Sequence, residues 1–161
     1  MLRFLSCVAL ALALFVPAAA AAAPADEVNT MLKSFADAFN KGDARAAAAH
    51  FSEDCDVISP FGVPGKGRAG AEKVIAADLA GPLKGATNTF TADNVRELAP
   101  NVLLVDATQE AQNMTGPDGK RMNGKLHVVL VMVRGKDRKL MIAAARPYMF
   151  MPPPPAASAQ R

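Results

Sequence analysis

The sequence offers few side chains that could do acid–base chemistry. Its two histidines, His50 and His127, lie far apart, and this spacing predicts no metal site. His50 is a candidate general base or ligand donor because a histidine pKa lies near neutrality. The alternative is a boundary histidine that reaches solvent. His127 lies three positions from Leu130 in an apolar strand, so alternation places it on the face opposite Leu130.

Ser59 and three acids, Glu53, Asp54 and Asp56, are the other polar candidates near the first predicted strand. Ser59 has no visible His and acid partner, so we interpret it as a hydrogen-bond donor to a bound carbonyl and not as a nucleophile. Paired carboxylates can transfer protons, but short acids at a helix end favour bonds to backbone amides. We therefore expect a structural role for the acids.

Two further segments are ambiguous or uninformative for chemistry. Gln109 and Glu110 lie on opposite faces of a predicted strand, so one of them enters a pocket if one is present. Gly62, Gly65 and Gly67 indicate a loop that needs small residues, but the glycine–lysine order of a phosphate-binding loop is absent.

Hydrophobic periodicity predicts three helices in the first half of the chain. The first spans Asp26–Asn40, and Gly42 ends it. Asp43 caps a short second helix, Ala44–Phe51. A short strand at Cys55–Ile58 follows, and the third helix shows apolar residues at Ala71, Val74, Ile75 and Leu79.

The second half predicts strands. Apolar and β-branched runs separated by turn residues lie at 88–98, 102–113, 126–134 and 140–145, which is typical of an antiparallel meander. Three helices followed by such a meander predict an α+β fold in which the helices pack on one face of a curved antiparallel sheet.

The run Leu126–Val133 is apolar at nearly every position. An antiparallel strand with one wet face alternates between polar and apolar residues, so both faces of this strand are expected to be covered. Helices cover one face. A second copy of the chain, in a homodimer, would cover the other, and the alternative is a crowded core within one chain.

The two ends of the chain differ from its middle. Arg3, an apolar run and then small residues indicate a signal peptide over 1–23, cleaved within Ala22–Ala25. The alternative is a membrane anchor, but the run before Pro17 is shorter than a span requires. We expect a periplasmic or secreted domain over 24–150, with no stable membrane anchor after cleavage and a disordered Pro-rich tail over 151–161.

Charge and cysteine content exclude two classes of site. The net charge of +3 falls to +2 without Arg3, which does not favour nucleic-acid binding. Only Cys55 remains after cleavage, so neither an intramolecular disulfide nor a cysteine-based metal site is expected.

Four short motifs follow one another: Phe35–Asp43, Phe51–Cys55, Pro60-Phe61-Gly62 and Gly67-Arg68. Their order resembles the nuclear-transport-factor-2-like superfamily and, within it, the SnoaL-like and SgcJ/EcaC group, with ketosteroid isomerase as a relative. The resemblance implies a conical α+β barrel with a pocket between helices and sheet. The SgcJ/EcaC group often carries Trp in the first helix and the last strand, and this chain has none.

The isomerase resemblance argues against isomerase chemistry. The Asp base of the isomerase corresponds to Ser59 in this chain. The Tyr and the protonated Asp of its oxyanion hole correspond to Phe35 and Leu130, and its supporting Tyr residues correspond to Phe51 and Ile75. A serine hydroxyl is not a base at neutral pH without help, so steroid-isomerase activity is not expected.

The resemblance implies a pocket that binds a small, mostly hydrophobic molecule, and no cofactor is expected. Its predicted lining is Phe35, Phe39, Val57, Ser59, Phe61 and Leu130. Two other functions stay open: a non-catalytic homodimeric interaction module, and a cofactor-independent isomerase, cyclase or hydratase with His50 as base. Fold alone does not choose among them.

Overall fold

The computed structural model describes residues 24–149. The predicted signal peptide and the Pro-rich tail lie outside these residues. The described elements are, in order, α1 (Pro24–Asn40), α2 (Ala44–Ala48), β1 (Phe51–Ile58), β2 (Pro64–Lys66), α3 (Gly67–Ala80), β3 (Thr87–Ala99), β4 (Val102–Thr115), β5 (Arg121–Arg134) and β6 (Leu140–Tyr148). The α+β prediction is confirmed.

The two N-terminal helices meet at a tight corner. Gly42 adopts φ +74° just after α1, a conformation that glycine reaches without steric cost. The side chain of Asp43 then accepts a hydrogen bond from the Ala46 amide at 2.9 Å, which satisfies one of the free N–H groups at the start of α2. Within residues 24–149, no helix is long and apolar enough to cross a membrane.

A six-stranded sheet forms the other layer, in the order β2-β1-β6-β5-β4-β3. Strands β3 to β6 pair antiparallel with their sequence neighbours, as the meander prediction requires. Strand β1 joins this meander by parallel pairing with β6, and β2 extends the edge. A Cβ at Gly65 would lie 2.7 Å from the Gly70 carbonyl oxygen, so glycine allows β2 to approach α3 closely.

The boundary between α2 and β1 differs from the prediction. Helix α2 ends at Ala48, and β1 begins at Phe51 instead of Cys55. Apolar Ala47, Ala48 and Phe51 fit a helical period, but the burial of Phe51, Cys55 and Val57 follows a strand. Pairing of Phe51 with Ile142 on β6 supplies the backbone partner, and this distant contact overrides the local pattern.

Alternation divides the central strands into an inner and an outer face. Leu130 and Met132 on β5 point into the core, whereas Val129, Val131 and Val133 are half-buried on the outer face. The helices pack only on the inner face, so the outer face remains partly apolar, as the unbroken run in β5 predicts.

Polar contacts fix α1 against the sheet at two places. Near its start, Glu27 forms a two-point ion pair with Arg134 at the end of β5. Near its end, the Asn40 side chain accepts from the Asn88 N–H and donates to the Asn88 carbonyl, each at 2.8 Å. Such paired bonds define the position of the helix over the sheet.

Candidate functional site

A cavity lies between the helices and the inner face of the sheet. The cavity has a volume of about 90 Å³ that the centres of water-sized molecules can occupy. One water needs about 10–15 Å³ by this measure, so a molecule of aromatic-ring size has room. Exposed Ile58 and half-buried Pro60 and Pro147 mark the mouth.

Aromatic rings form one wall of the cavity. Phe35 on α1 is at their centre, with ring-centroid distances of 5.0 Å to Phe90, 5.6 Å to Phe39 and 5.9 Å to Phe51. The mutual tilt of the rings suits their quadrupoles. Aliphatic side chains from α1, α3 and the sheet complete the apolar lining: Leu32, Val57, Val74, Ile75, Leu83, Val128, Leu130 and Ile142.

Three polar side chains interrupt this apolar lining: Ser59, Asp78 and Gln109. Asp78 is 7% exposed and Ser59 and Gln109 are each 4% exposed. The lining, within the described residues, contains no Lys, Arg or His. An acid in an apolar cavity without a cation is costly unless it is neutral or finds a partner.

Burial raises the pKa of Asp78 from 3.8 to about 6, and a hydrogen bond from the Ser59 hydroxyl opposes part of that rise. The charged form loses solvation in the cavity, so the proton is held more tightly than in water. A carboxyl with a pKa near neutrality in a cleft is typical of groups that bind or transfer protons.

A chain of amides orients Gln109. Its Nε2 donates to Asn88 Oδ1 at 2.9 Å, and the Asn88 backbone is in turn held by Asn40. The Asn88 side-chain nitrogen is buried without a hydrogen-bond partner among the described residues. Gln109 Oε1 accepts no hydrogen bond from residues 24–149. Of the two polar residues that sequence analysis left open, Gln109 lines the cavity, and Glu110 pairs with Lys125 at the surface.

The structure places five of the predicted lining residues around the cavity: Phe35, Phe39, Val57, Ser59 and Leu130. The predicted position of Phe61 in the cavity lining is corrected by the structure. Its side chain is 45% exposed and does not line the cavity, because the turn from Ser59 to Val63 carries it outward beyond the mouth.

Ser59 lines the cavity and also bonds to its own turn. The hydroxyl oxygen accepts from the Phe61 N–H at 3.0 Å and the Val63 N–H at 3.3 Å, and its hydrogen bond lowers the pKa of Asp78 against the effect of burial. Ser59 therefore links the turn to Asp78, and its role as a donor to a bound carbonyl stays a prediction.

His50 does not line the cavity, which corrects its placement as a base inside the pocket. Its Nδ1 lies 3.2 and 3.3 Å from the carbonyl oxygens of Ala46 and Ala47, and its Nε2 lies 3.0 Å from Ser34 Oγ. Carbonyls only accept, so Nδ1 carries the proton and Nε2 accepts from Ser34. Both ring nitrogens are occupied by these structural bonds.

Sequence analysis missed Asp78. A signal was present, because Asp78 follows Ala71 by seven positions and lies on the same helix face as Val74 and Ile75. An acid on the buried face of an amphipathic helix is unusual unless it is paired or functional. The prediction instead assigned Leu79, which is half-buried, to that face.

The positions that correspond to isomerase groups all line the cavity: Phe35, Phe51, Ser59, Ile75 and Leu130. None carries a carboxyl or phenol group. The acid of this cavity comes from α3, at a position that the isomerase resemblance does not assign. Among residues 24–149 no group of His, Cys, Asp and Glu could hold a metal ion.

Comparisons with known proteins agree with this architecture. The profile of the SnoaL-like domain matches residues 28–139, and the chain belongs to the SnoaL-like domain family, within the nuclear-transport-factor-2-like superfamily. No curated protein sequence matches the chain. The finer resemblance to the SgcJ/EcaC group stays a prediction.

Solved structures share the fold at low sequence identity. A domain of unknown function with a cystatin-like fold from Nostoc punctiforme has a TM-score of 0.67 at 19% identity, covering 79% of this chain and 77% of its own. A ketosteroid isomerase-like protein from Erwinia carotovora atroseptica has a TM-score of 0.66 at 13% identity, with 80% and 97% covered. A protein from Catenulispora acidiphila in complex with S-DNPA has a TM-score of 0.60 at 19% identity, with 76% and 90% covered.

Proposed function

We propose that this SnoaL-like domain binds a small, mostly apolar molecule in the cavity between its helices and sheet. The observation that carries the proposal is an aromatic-lined cavity that opens to solvent and contains buried polar groups. A pocket of this composition is typical of small-molecule sites, where apolar walls supply affinity and a few polar groups fix orientation. The Catenulispora acidiphila protein, solved with S-DNPA, supports the proposal at the level of the fold.

The test is binding of a neutral aromatic probe, benzyl alcohol, to the purified protein, followed by two-dimensional NMR. We expect saturable shifts at cavity residues. The variant Ala71→Leu adds a branched side chain to the lining, whereas Ala77→Leu adds it to an exposed site on the same helix. Binding should be lost in the first variant and kept in the second.

A second cavity variant guards against misfolding. Ala145→Leu narrows the cavity near its mouth, where the native alanine is only half-buried. If both cavity variants fold cooperatively and bind benzyl alcohol as the native protein does, or if the native protein shows no saturable shift, the cavity is packing space and the interaction-module alternative is favoured.

We also propose that the domain forms a homodimer through the outer face of the sheet. Leu104 pairs with Val131, and Val133 lies between Val102 and Met141. These side chains form a continuous, half-buried apolar band. Such bands are uncommon on the free surface of monomers.

Export is a further proposal, supported by the sequence of residues 1–23. A single basic residue, an apolar run and small residues before Ala25 are typical of a cleaved leader. The test is intact-mass measurement of the protein from cells that produce it. A mature chain that starts within Ala22–Ala25, recovered outside the cytoplasm, is expected, and a cytoplasmic chain that begins at Met1 would contradict export.

A further inference from the structure

We propose that Asp78 is the recognition residue of the cavity and that its ligand is a small aromatic or alicyclic molecule with a hydrogen-bond donor, an ammonium or hydroxyl group, and not an anionic one. This inference rests on the proposed binding function. It follows from the balance of donors and acceptors in the cavity.

The cavity presents more hydrogen-bond acceptors than the described residues satisfy. An ionised carboxylate accepts about four hydrogen bonds, and Ser59 is the one donor to Asp78 among the described residues. Gln109 adds a carbonyl oxygen without a donor among residues 24–149. These oxygens stay accessible from the cavity, because the one side-chain nitrogen or oxygen that is fully buried without a partner among the described residues is Asn88 Nδ2, outside the lining. A ligand that donates hydrogen bonds would satisfy them.

The charge of the cavity also restricts its ligand. Because no basic side chain lines the cavity within the described residues, a carboxylate or phosphate ligand would have no partner and would face Asp78. Like charges in a low-dielectric site repel strongly. An ammonium group on the ligand carries the opposite charge, so its interaction with ionised Asp78 is attractive. The cavity therefore selects against anions.

Asp78 is the one charged side chain of the cavity lining among the described residues. Helix α3 packs on α2, β1 and β2, and no charged residue of these elements contributes to the pKa of Asp78. On α3 itself, Arg68 pairs with Glu53, and Asp56 on β1 pairs with Arg146. The remaining charged side chains of these elements are exposed or half-buried and do not line the cavity: Arg45, Asp54, Lys66, Glu72 and Lys73.

Asp78 destabilises the fold when it is ionised, because burial raises its pKa. An apolar residue at this position of α3 would pack without that cost. Groups that cost stability in a cleft are candidates for a role in binding.

The experiment compares three probes that share one ring: benzylamine, benzyl alcohol and benzoate, titrated by NMR at about pH 8. We expect benzylamine to bind at least about tenfold more tightly than benzoate, with benzyl alcohol between them. In Asp78→Asn the amine and the acid should differ by less than about threefold. Glu72→Gln, on the same helix and outside the lining, should keep the native order.

A change of pH supplies a second readout. At about pH 5, one unit below the pKa of about 6, about a tenth of Asp78 remains ionised. Benzylamine binding should then weaken by up to about tenfold, while benzyl alcohol binding should change less. The Asp78→Asn variant should lose this pH dependence, which a purely structural role for Asp78 would not produce.

The outcomes separate the two proposals. Equal binding of all three probes, or an amine preference that survives in Asp78→Asn, overturns the recognition role and leaves cavity binding intact. Tighter binding of benzoate than of benzylamine also overturns it. The absence of saturable binding by every probe overturns the binding function and the recognition role together.

Discussion

The hydroxyl of Ser59, just after β1, faces the same cavity as the buried carboxyl of Asp78 near the end of α3, and its hydrogen bond lowers the pKa of Asp78 against the effect of burial. The same oxygen accepts from the amides of Phe61 and Val63. One serine therefore joins the acid in the cavity to the turn at the mouth. This arrangement makes the protonation of Asp78 dependent on that turn.

Replacing Asp78 by Asn should stabilise the protein above pH 6. The folded-state pKa is raised from 3.8 to about 6, so the stability of the native protein is full below 3.8 and falls as the pH rises through about 6. The loss is at most about 3 kcal/mol, at about 1.4 kcal/mol per pKa unit. Asparagine does not titrate, so the variant avoids this loss.

The measurement is urea unfolding at about pH 8 and about pH 4. We expect a higher free energy of unfolding for Asp78→Asn at the upper pH and a much smaller difference from the native protein at the lower pH. Glu72→Gln is the matched control and should show neither effect. A variant less stable than the native protein at the upper pH would contradict the burial of a charged group.

Replacing Ser59 by Ala should raise the pKa of Asp78 further. The Ser59 hydrogen bond is the one contact that lowers this pKa against the effect of burial. The turn also loses its acceptor for the Phe61 and Val63 amides, at a cost of about 1 kcal/mol. Carboxyl titration by NMR should place the midpoint above the native value.

Ser34→Ala is the control for this prediction. It removes a hydroxyl that bonds to His50 on the far side of α1, so the titration of Asp78 should not move. An unchanged or lower midpoint in Ser59→Ala would show that Asp78 does not depend on Ser59.

Much of the fold could be predicted because the periodicity of hydrophobic residues is a local property of the sequence. The face of α1, the cap at Asp43 and the four-strand meander each follow from residue type and spacing. The early start of β1 could not, because the pairing of Phe51 with Ile142 joins residues far apart in sequence. Local pattern at Ala44–Phe51 favours a helix that this contact ends.

The site was less predictable than the fold. Cavity walls such as Phe35 and Leu130 follow from apolar periodicity, which places them inside whatever the function. The positions of the polar groups depend on packing. Asp78 is buried because α3 lies on β1, whereas the ring of His50 lies outside the cavity because it bonds to α2 and Ser34. Charged residues on helices are usually solvated, so burial of one follows only from the tertiary structure.

Phe35→Ala should be the more damaging of two matched phenylalanine substitutions. Phe35 contacts three phenylalanine rings and the half-buried ring of His50, and truncation of a buried Phe costs about 3–5 kcal/mol. Phe61 is 45% exposed, so Phe61→Ala should cost less than about 1 kcal/mol. Urea unfolding of both variants measures the difference, and comparable losses would contradict the exposed position of Phe61.

Val131→Asp should disrupt the proposed dimer without unfolding the domain. Val131 is half-buried on the outer face and pairs with Leu104 and Ala144, so a charge there is solvated in a monomer but desolvated in a dimer interface. Gln112→Asp introduces the same acid at an exposed site on β4 and serves as the control. Sedimentation at micromolar concentration should show a dimer for the native protein and Gln112→Asp, and a monomer for Val131→Asp. If the native protein sediments as a monomer, the proposed dimer is wrong, and the half-buried outer band is the surface of a single folded chain.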